Sequence, residues 1–366
     1  MLERTSRTGS TAQPWRSPWW IAVFVLVALV SLAALIPSPY AIERPGPVVN
    51  AFGTIETDDG ESPVISIEGV PTYEATGELN VLSVTISGTP EQPASWLNLA
   101  RALLDPTQST VPLADLFPPG VTAEDRAEVN AVLMESSKVQ ATAAALHQMG
   151  QPLQGELRVA AVSDAGPAAG LLEEDDLILA ASGAPVAAVG ELRQALAAVG
   201  PGESVELRVE RDGEVMGVVA TPELIGDAKQ PALGISVVTE LELPFEIDIQ
   251  LDRIGGPSAG LTFALAVYDL LTPEDLTGGL RISGTGTIDD RGVVGPIGGL
   301  TQKLWGASRS GTDLFLLPVS NCADLPDSIP GGMRVAPVAT LEEAVKALEV
   351  ARSGGTPAGP QRCEAG

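Results

Sequence analysis

The sequence predicts an α+β protein with an N-terminal transmembrane helix, a mixed soluble part and a compact β-rich unit in mid-chain. Three observations carry this expectation. Residues 19–36 read WWIAVFVLVALVSLAALI, an apolar run without a charge. Beyond them, short alternating segments rich in β-branched residues are interspersed with longer segments of helical period. Residues 155–221 then hold strand-like LRVAAV, VELRVE and VMGVVAT around one helix-like ELRQALAAV, punctuated by turn residues.

The apolar run comes first in the chain. Eighteen residues at ~1.5 Å rise give roughly 27 Å, close to the hydrocarbon thickness of a bilayer. Trp15, Trp19 and Trp20 flank one end and Tyr40 the other, as interfacial aromatics do. Arg4, Arg7 and Arg16 precede the run, which predicts a cytoplasmic tail over 1–18, a single-pass anchor in the cell membrane and an extracytoplasmic remainder. The alternative is a cleaved signal peptide, but the run is long for one and Pro37-Ser38-Pro39-Tyr40-Ala41 is a poor cleavage site. An oxidising exterior permits a disulfide between Cys322 and Cys363, the alternative being two free thiols.

Composition narrows the chemistry. The 366 residues carry 47 acidic and 21 basic side chains, a net charge of −26 that argues against nucleic acid as a partner. His147 is the one histidine, and the lysines are Lys138, Lys229, Lys303 and Lys346. No cluster of His, Cys and carboxylate at zinc spacing occurs, and no G-x-x-x-x-G-K-[ST] phosphate loop. Neither metal nor cofactor is expected.

The soluble part divides as follows. Residues 37–60, rich in Pro, Gly and Asp over 41–60, read as an extended linker. Residues 61–150 begin a domain with strands Val64–Val70 and Leu79–Ser87, a helix over 95–104, a Pro-rich loop over 105–123 and a long helix from Glu124 to Met149. That helix is expected to turn Val129, Val132, Leu133, Val139 and Leu146 inward, with His147 at its C-terminus as a dipole partner. The β-rich unit takes 151–225, a second helical and stranded part 226–350, and a Gly/Pro-rich tail 351–366.

The order of elements in the β-rich unit, with Gly166-Pro167-Ala168-Ala169-Gly170-Leu171, Asp175-Asp176-Leu177-Ile178 and Pro201-Gly202-Glu203, resembles the PDZ domains of bacterial extracytoplasmic proteases. Such domains add an extended peptide to a sheet edge beside a helix. Leu192 and Leu196 are placed either as walls of that groove or as core leucines.

The most informative stretch begins at Pro244. The strand-like PFEIDIQLDR leads through IGGPSAG into LTFALAVYDLL, a helix apolar on all sides and so buried. Ser258 therefore sits at a strand-to-helix turn, either as a plain N-cap or as a nucleophile. The backbone around Gly256, Pro257, Ser258 and Ala259 is expected to line an oxyanion. A serine nucleophile needs a base, and a buried neutral lysine can serve. Lys303 follows in GPIGGLTQKLWGA, with Leu300, Leu304 and Trp305 as its neighbours.

GPSAG together with PIGGLTQKL, 45 residues apart from Ser258 to Lys303, resembles the proteolytic domain of the Lon family. Upstream, VISIEGVPTYEATGELNVLSVTISG and Val132-Leu133-Met134-Glu135-Ser136 extend the likeness. With the anchor and the PDZ unit, the whole order is similar to the PDZ–Lon membrane proteins of Gram-positive bacteria. The resemblance implies a Ser258–Lys303 protease whose PDZ unit is inserted in a discontinuous Lon-type domain. It implies no ATPase module, protein or peptide substrates from among exported proteins, and a homo-oligomer. Gly255 stands where many members carry an acidic residue, and Thr301 replaces the first lysine of the family's K-x-K. An inactive scaffold that only binds peptides is the alternative.

Overall fold

A computed structural model describes residues 19–57, 60–151, 155–163, 166–224, 231–241, 243, 245–251, 255–359 and 363. Trp15, Arg4, Arg7, Arg16 and Lys229, used above, lie outside the described residues.

Helix α1 (Trp19–Leu35) has 17 residues and buries none of them. Pro37 ends it, since the residue before a proline is pushed out of the helical region. The helix is thus shorter than the expected span over 19–36, and among the described residues no helix is long and apolar enough to cross a membrane.

The expected linker over 37–60 is absent, because the chain there is structural. Strand β1 (Tyr40–Asn50) enters the main sheet with Ala41 and Ile42 buried. A hairpin follows, β2 (Thr54–Thr57) with β3 (Gly60–Pro63), then β4 (Ile65–Glu68) and β5 (Glu78–Ser87). β5 pairs β1 antiparallel over its length, with a bulge between Pro45 and Val48. Helix α2 (Trp96–Ala102) leads to β6 (Ser109–Pro112) and the short α3 (Leu113–Leu116), so the expected loop over 105–123 is partly ordered structure. β6 covers β1 only from Tyr40 to Glu43. Pro45 and Pro47 therefore fall where β1 is an edge strand, the place where a missing N–H costs no ladder bond. Prolines made the segment read as a linker; the half-covered strand is what admits them.

Helix α4 (Ala123–Gln148) starts at a capping box, in which the Thr122 hydroxyl accepts the Asp125 N–H and the Asp125 carboxylate accepts the Thr122 N–H. Its inward face matches the expected one at Leu146, which is buried, and in part at half-buried Val139, but not in the first half of the helix. Val129, Val132 and Leu133 are exposed, whereas Met134, Ser137, Ala141, Ala144 and Ala145 are buried. Small residues win because this face packs closely on another helix, introduced below, which leaves no room for branched side chains.

The β-rich unit comprises β7 (Gly155–Val162), β8 (Leu177–Ala181), β9 (Ala184–Pro185), helix α5 (Val189–Val199), β10 (Val205–Arg211), β11 (Glu214–Ala220) and β12 (Ile235–Leu241). Its sheet runs β11–β10–β8–β7–β12, with β9 on β8. The expected boundary at 221–225 is therefore too early: β12 pairs β7 from Ile235 against Val162 to Leu241 against Gly155. The alternation Ile235, Val237, Thr239 was the overlooked signal. Because Gly155 and Leu241 are ladder partners, the chain enters and leaves this unit at adjacent points, as an inserted unit requires. In the LEEDDL motif, Asp176 is a structural acid that accepts both Nε and Nη2 of Arg211 at 2.7 Å.

The rest of the chain completes the main domain. Strand β13 (Glu246–Ile249) pairs β4, a 3-10 turn spans Pro257–Ala259, and α6 (Gly260–Leu271) follows. Then come β14 (Arg281–Gly284), the short pair β15 (Thr287–Ile288) and β16 (Val294–Gly295), α7 (Leu300–Arg309), β17 (Leu314–Pro318), β18 (Arg334–Val338) and α8 (Leu341–Arg352). The main sheet reads β18–β17–β14–β5–β1–β6, parallel at the β18 end and antiparallel around β1. Leu261, Phe263 and Leu265 of α6 are fully buried with Val81, Ile282 and Leu316 from the sheet and Leu348 from α8. α4 and α8 cover α6 from outside the sheet. Cys322 and Cys363 are joined in a disulfide, which ties the C-terminal tail to the turn after β17.

Candidate active site

The chain delivers Ser258 on a braced turn. Gly256 adopts φ of 88°, a conformation that excludes most side chains, and its N–H bonds the Asn130 carbonyl of α4 at 3.0 Å. Two turns further along α4, the Ser137 hydroxyl donates to the Pro257 carbonyl at 3.1 Å. On the other side, the Ser258 carbonyl accepts the Gly286 N–H at 2.9 Å and the Thr285 hydroxyl at 3.2 Å. The serine backbone is thus held between α4 and the segment joining β14 to β15.

Lys303 is brought to it by α7. Gly299 begins that helix in the left-handed region, φ 65°, and a Cβ there would lie 2.6 Å from Val84 on β5. The close approach seats α7 against the sheet, with Leu300 and Leu304 packed among Leu82, Phe315 and Leu317. Trp305 is only half-buried and lies outside that cluster. Lys303 is 3% exposed. Its Nζ lies 2.8 Å from Ser258 Oγ and 3.0 Å from Thr285 Oγ1. Burial pushes its pKa down to about 8, opposed by the charge of Glu43 on β1. The lysine can therefore shed its proton near neutrality and accept one from the serine, which is the chemistry of a nucleophile with its general base.

Two contributors escaped the sequence. Thr285 lies between β14 and β15, and its hydroxyl donates to the Ser258 carbonyl and accepts from Lys303. Glu43 lay in the supposed linker. Replacing Thr285 with Val should lower kcat about tenfold or more with KM little changed, since one hydrogen bond of roughly 1.4 kcal/mol aligns the base; steady-state kinetics on a short peptide would show it.

Of the backbone positions expected at the oxyanion, two are corrected. Pro257 has no N–H, and that of Gly256 is occupied by Asn130. Ser258 and Ala259 remain as donors at the start of the buried helix. His147 is exposed in the last turn of α4. Leu192 and Leu196 are 3% and 4% exposed in the core of the β-rich unit, so they are core leucines and not groove walls. Helix α5 adjoins the edge strand β12, and half-buried Val189, Ala195, Val199, Ile235 and Val237 pack against the core of the unit. Two clefts lie elsewhere: one of about 250 Å³ between Arg44, Asp105 and Arg309, another of about 220 Å³ by Tyr73 and Phe245. Neither includes Ser258 or Lys303.

Comparison with known proteins bears on this geometry. Residues 253–350, which hold Ser258, Thr285 and Lys303, match the model of the family described as Lon protease (S16) C-terminal proteolytic domain. The chain carries a Lon-type serine protease domain. A Lon protease of Lachnoclostridium phytofermentans is 40% identical over 94 residues, 25% of this chain and 11% of that protein. Lon protease 1 of Sorangium cellulosum is 42% identical over 94 residues, with the same 25% and 11% covered. The chain thus spans about a ninth of the length of these curated relatives, all of it within the Lon-type domain. Residues 147–219 match the PDZ domain family. The crystal structure of the PDZ domain of an SdrC-like protein from Listeria innocua is 22% identical, covering 22% of this chain and 92% of that one, with a TM-score of 0.22. The PDZ match ends before β12, whereas the Lon-type match begins after β13.

Proposed function

We propose that the chain is a serine endopeptidase in which Ser258 is the nucleophile and Lys303 the general base. The observation that carries this is the 2.8 Å approach of Lys303 Nζ to Ser258 Oγ, at a lysine whose burial brings its pKa down to about 8. Lys303 takes the hydroxyl proton as Oγ bonds to the scissile carbonyl carbon. The developing oxyanion faces the N–H groups of Ser258 and Ala259. The protonated lysine then gives its proton to the leaving amine, and the C–N bond breaks. Water repeats the sequence on the acyl-enzyme: Lys303 accepts its proton, hydroxide adds to the ester carbon, and the Ser258 oxygen leaves reprotonated.

The substrates that fit this reading are unfolded or flexible segments of exported proteins, cleaved without ATP. The PDZ edge strand β12 suits selection of an extended chain by strand addition. Helix α1, uncharged and exposed on every side, suits attachment to a lipid layer with the protease outside the cytoplasm. A serine-reactive fluorophosphonate should label the wild-type chain and not Ser258→Ala; an unlabelled wild type would indicate a peptide-binding scaffold instead.

Excising 155–241 and joining the ends with a few Gly/Ser residues should leave a folded Lon-type domain that cleaves short peptides but no longer discriminates among protein substrates. Circular dichroism and peptide kinetics check this. Removing only 155–221 should instead give a poorly folded chain, because it strips β12 of its partner β7.

A further inference from the structure

Two consecutive residues of the turn between β15 and β16 reach from the Lon-type domain to the PDZ helix. Asp290 is 2% exposed, and its Oδ1 accepts the backbone N–H of Gly190 at 2.9 Å. Arg291 donates from Nη1 to Gln194 Oε1. Gly190 and Gln194 lie four residues apart on α5 and share one face. Leu192 and Leu196 commit another face to the PDZ core.

Helix α5 has need of this hold. Its N-cap residue is Ala188, whose side chain cannot accept a first-turn N–H. Asp290 supplies the missing acceptor from the other domain. The fit is close: a Cβ at Gly190 would lie 2.6 Å from Oδ1 and 2.9 Å from Oδ2 of Asp290. Oδ2 has no hydrogen-bond partner among the described residues. A buried carboxylate with one oxygen unmatched is costly, and among the described residues its side-chain bond to the rest of the protein is to this helix.

The other end of the same segment holds the dyad. Thr285 contacts Lys303 Nζ, and the Gly286 N–H bonds the Ser258 carbonyl. Gly286 also accepts the Leu261 N–H at 3.0 Å, so the segment is fixed to the start of α6 on both of its hydrogen-bonding groups. Thr285 and Asp290 are five positions apart with β15 between them. Helix α5, in turn, stands beside the edge strand β12.

We propose that segment 285–291 couples the PDZ groove to the dyad. A peptide lodged between β12 and α5 displaces α5; Asp290 and Arg291 carry that displacement to Gly286 and Thr285, and so to the alignment of Ser258 with Lys303. Asp290 and Arg291 are positioning residues in this scheme. The output rests on the serine protease reading above, but the grip on α5 does not.

Coupling of this kind is reciprocal, so occupying Ser258 must be felt at α5. The test is amide hydrogen exchange on the full chain in detergent, before and after a fluorophosphonate has modified Ser258. In the wild type, labelling should change exchange across 189–199 at least threefold. Asp290→Ala should remove that change, and Asp290→Asn, whose amide oxygen can still accept the Gly190 N–H, should keep it. Arg291→Ala, at an exposed position that leaves the fold unaffected, should reduce it at least twofold. An α5 indifferent to labelling, or a change that persists in full in both Asp290→Ala and Arg291→Ala, would overturn the coupling. Failure of Ser258 to label would count against the protease reading alone. The grip is then read without label: Asp290→Ala should speed exchange of the first turn of α5 at least tenfold with β8 and β10 unchanged, and equal rates would overturn it.

Discussion

Replacing Lys303 with Met should lower kcat/KM on the order of 10³-fold or more while making the fold more stable at neutral pH. The activity loss follows from removing the one base hydrogen-bonded to Ser258 Oγ among the described residues. The stability gain follows from the depressed pKa. A lysine that titrates at 10.5 when unfolded and about 8 when folded makes protonation in the folded state cost roughly 3 kcal/mol below pH 8. Methionine fills similar space without that charge. Losing the contacts to Ser258 and Thr285 takes back about 1 kcal/mol each, so the net gain at pH 7 is about 1 kcal/mol. The sign of the pH dependence is fixed. The wild-type cost is full below pH 8, shrinks between pH 8 and 10.5, and is gone above, where the variant becomes the less stable of the two. Thermal melts of both proteins at pH 7 and pH 10.5, beside peptide kinetics with Ser258→Ala as control, check both halves. A Met variant that keeps substantial turnover would mean that another group is the base.

The pH profile of the wild type should show the same group. Below pH 7, kcat/KM should rise about tenfold per unit, because only the neutral amine accepts the serine proton. With a pKa of about 8, roughly a tenth of the lysines are neutral at pH 7 and roughly a hundredth at pH 6. The curve should level off above pH 8. An unperturbed lysine would give a profile still climbing past pH 10, and a histidine base one that levels near pH 7. Glu43→Gln should move the midpoint to lower pH, because Glu43 is the charge that holds the lysine pKa up against burial. A profile unmoved by Glu43→Gln would show that solvent screens the carboxylate.

Much of this protein was legible in one dimension. GPSAG announced a serine at a helix start, since glycine, proline and an apolar run allow few other conformations. PIGGLTQK announced a lysine on a short helix, and the resemblance of the two motifs to the Lon-type pattern paired it with the serine. Cys322 and Cys363, lone cysteines in a chain read as exported, were paired by elimination. These signals are local or compositional, so they survive without coordinates.

What the sequence by itself determined, then, was the candidate pair Ser258 and Lys303, the two kinds of domain and the approximate order of their elements. Tertiary structure decided whatever depends on neighbours distant in the chain. Prolines in β1 read as a linker because their tolerance depends on β6 stopping at Glu43. The inward face of α4 depends on how closely α6 approaches, which selects alanines over valines. β12 belongs to the PDZ sheet through pairing with β7, about 80 residues earlier, and no local signal records that partner. Thr285, Glu43 and Asp290 act through groups that lie 18, 260 and 100 residues away. A threonine, a glutamate and an aspartate in turns and strands are unremarkable as residue types, and only the surroundings that bury, orient or oppose them make them part of the site.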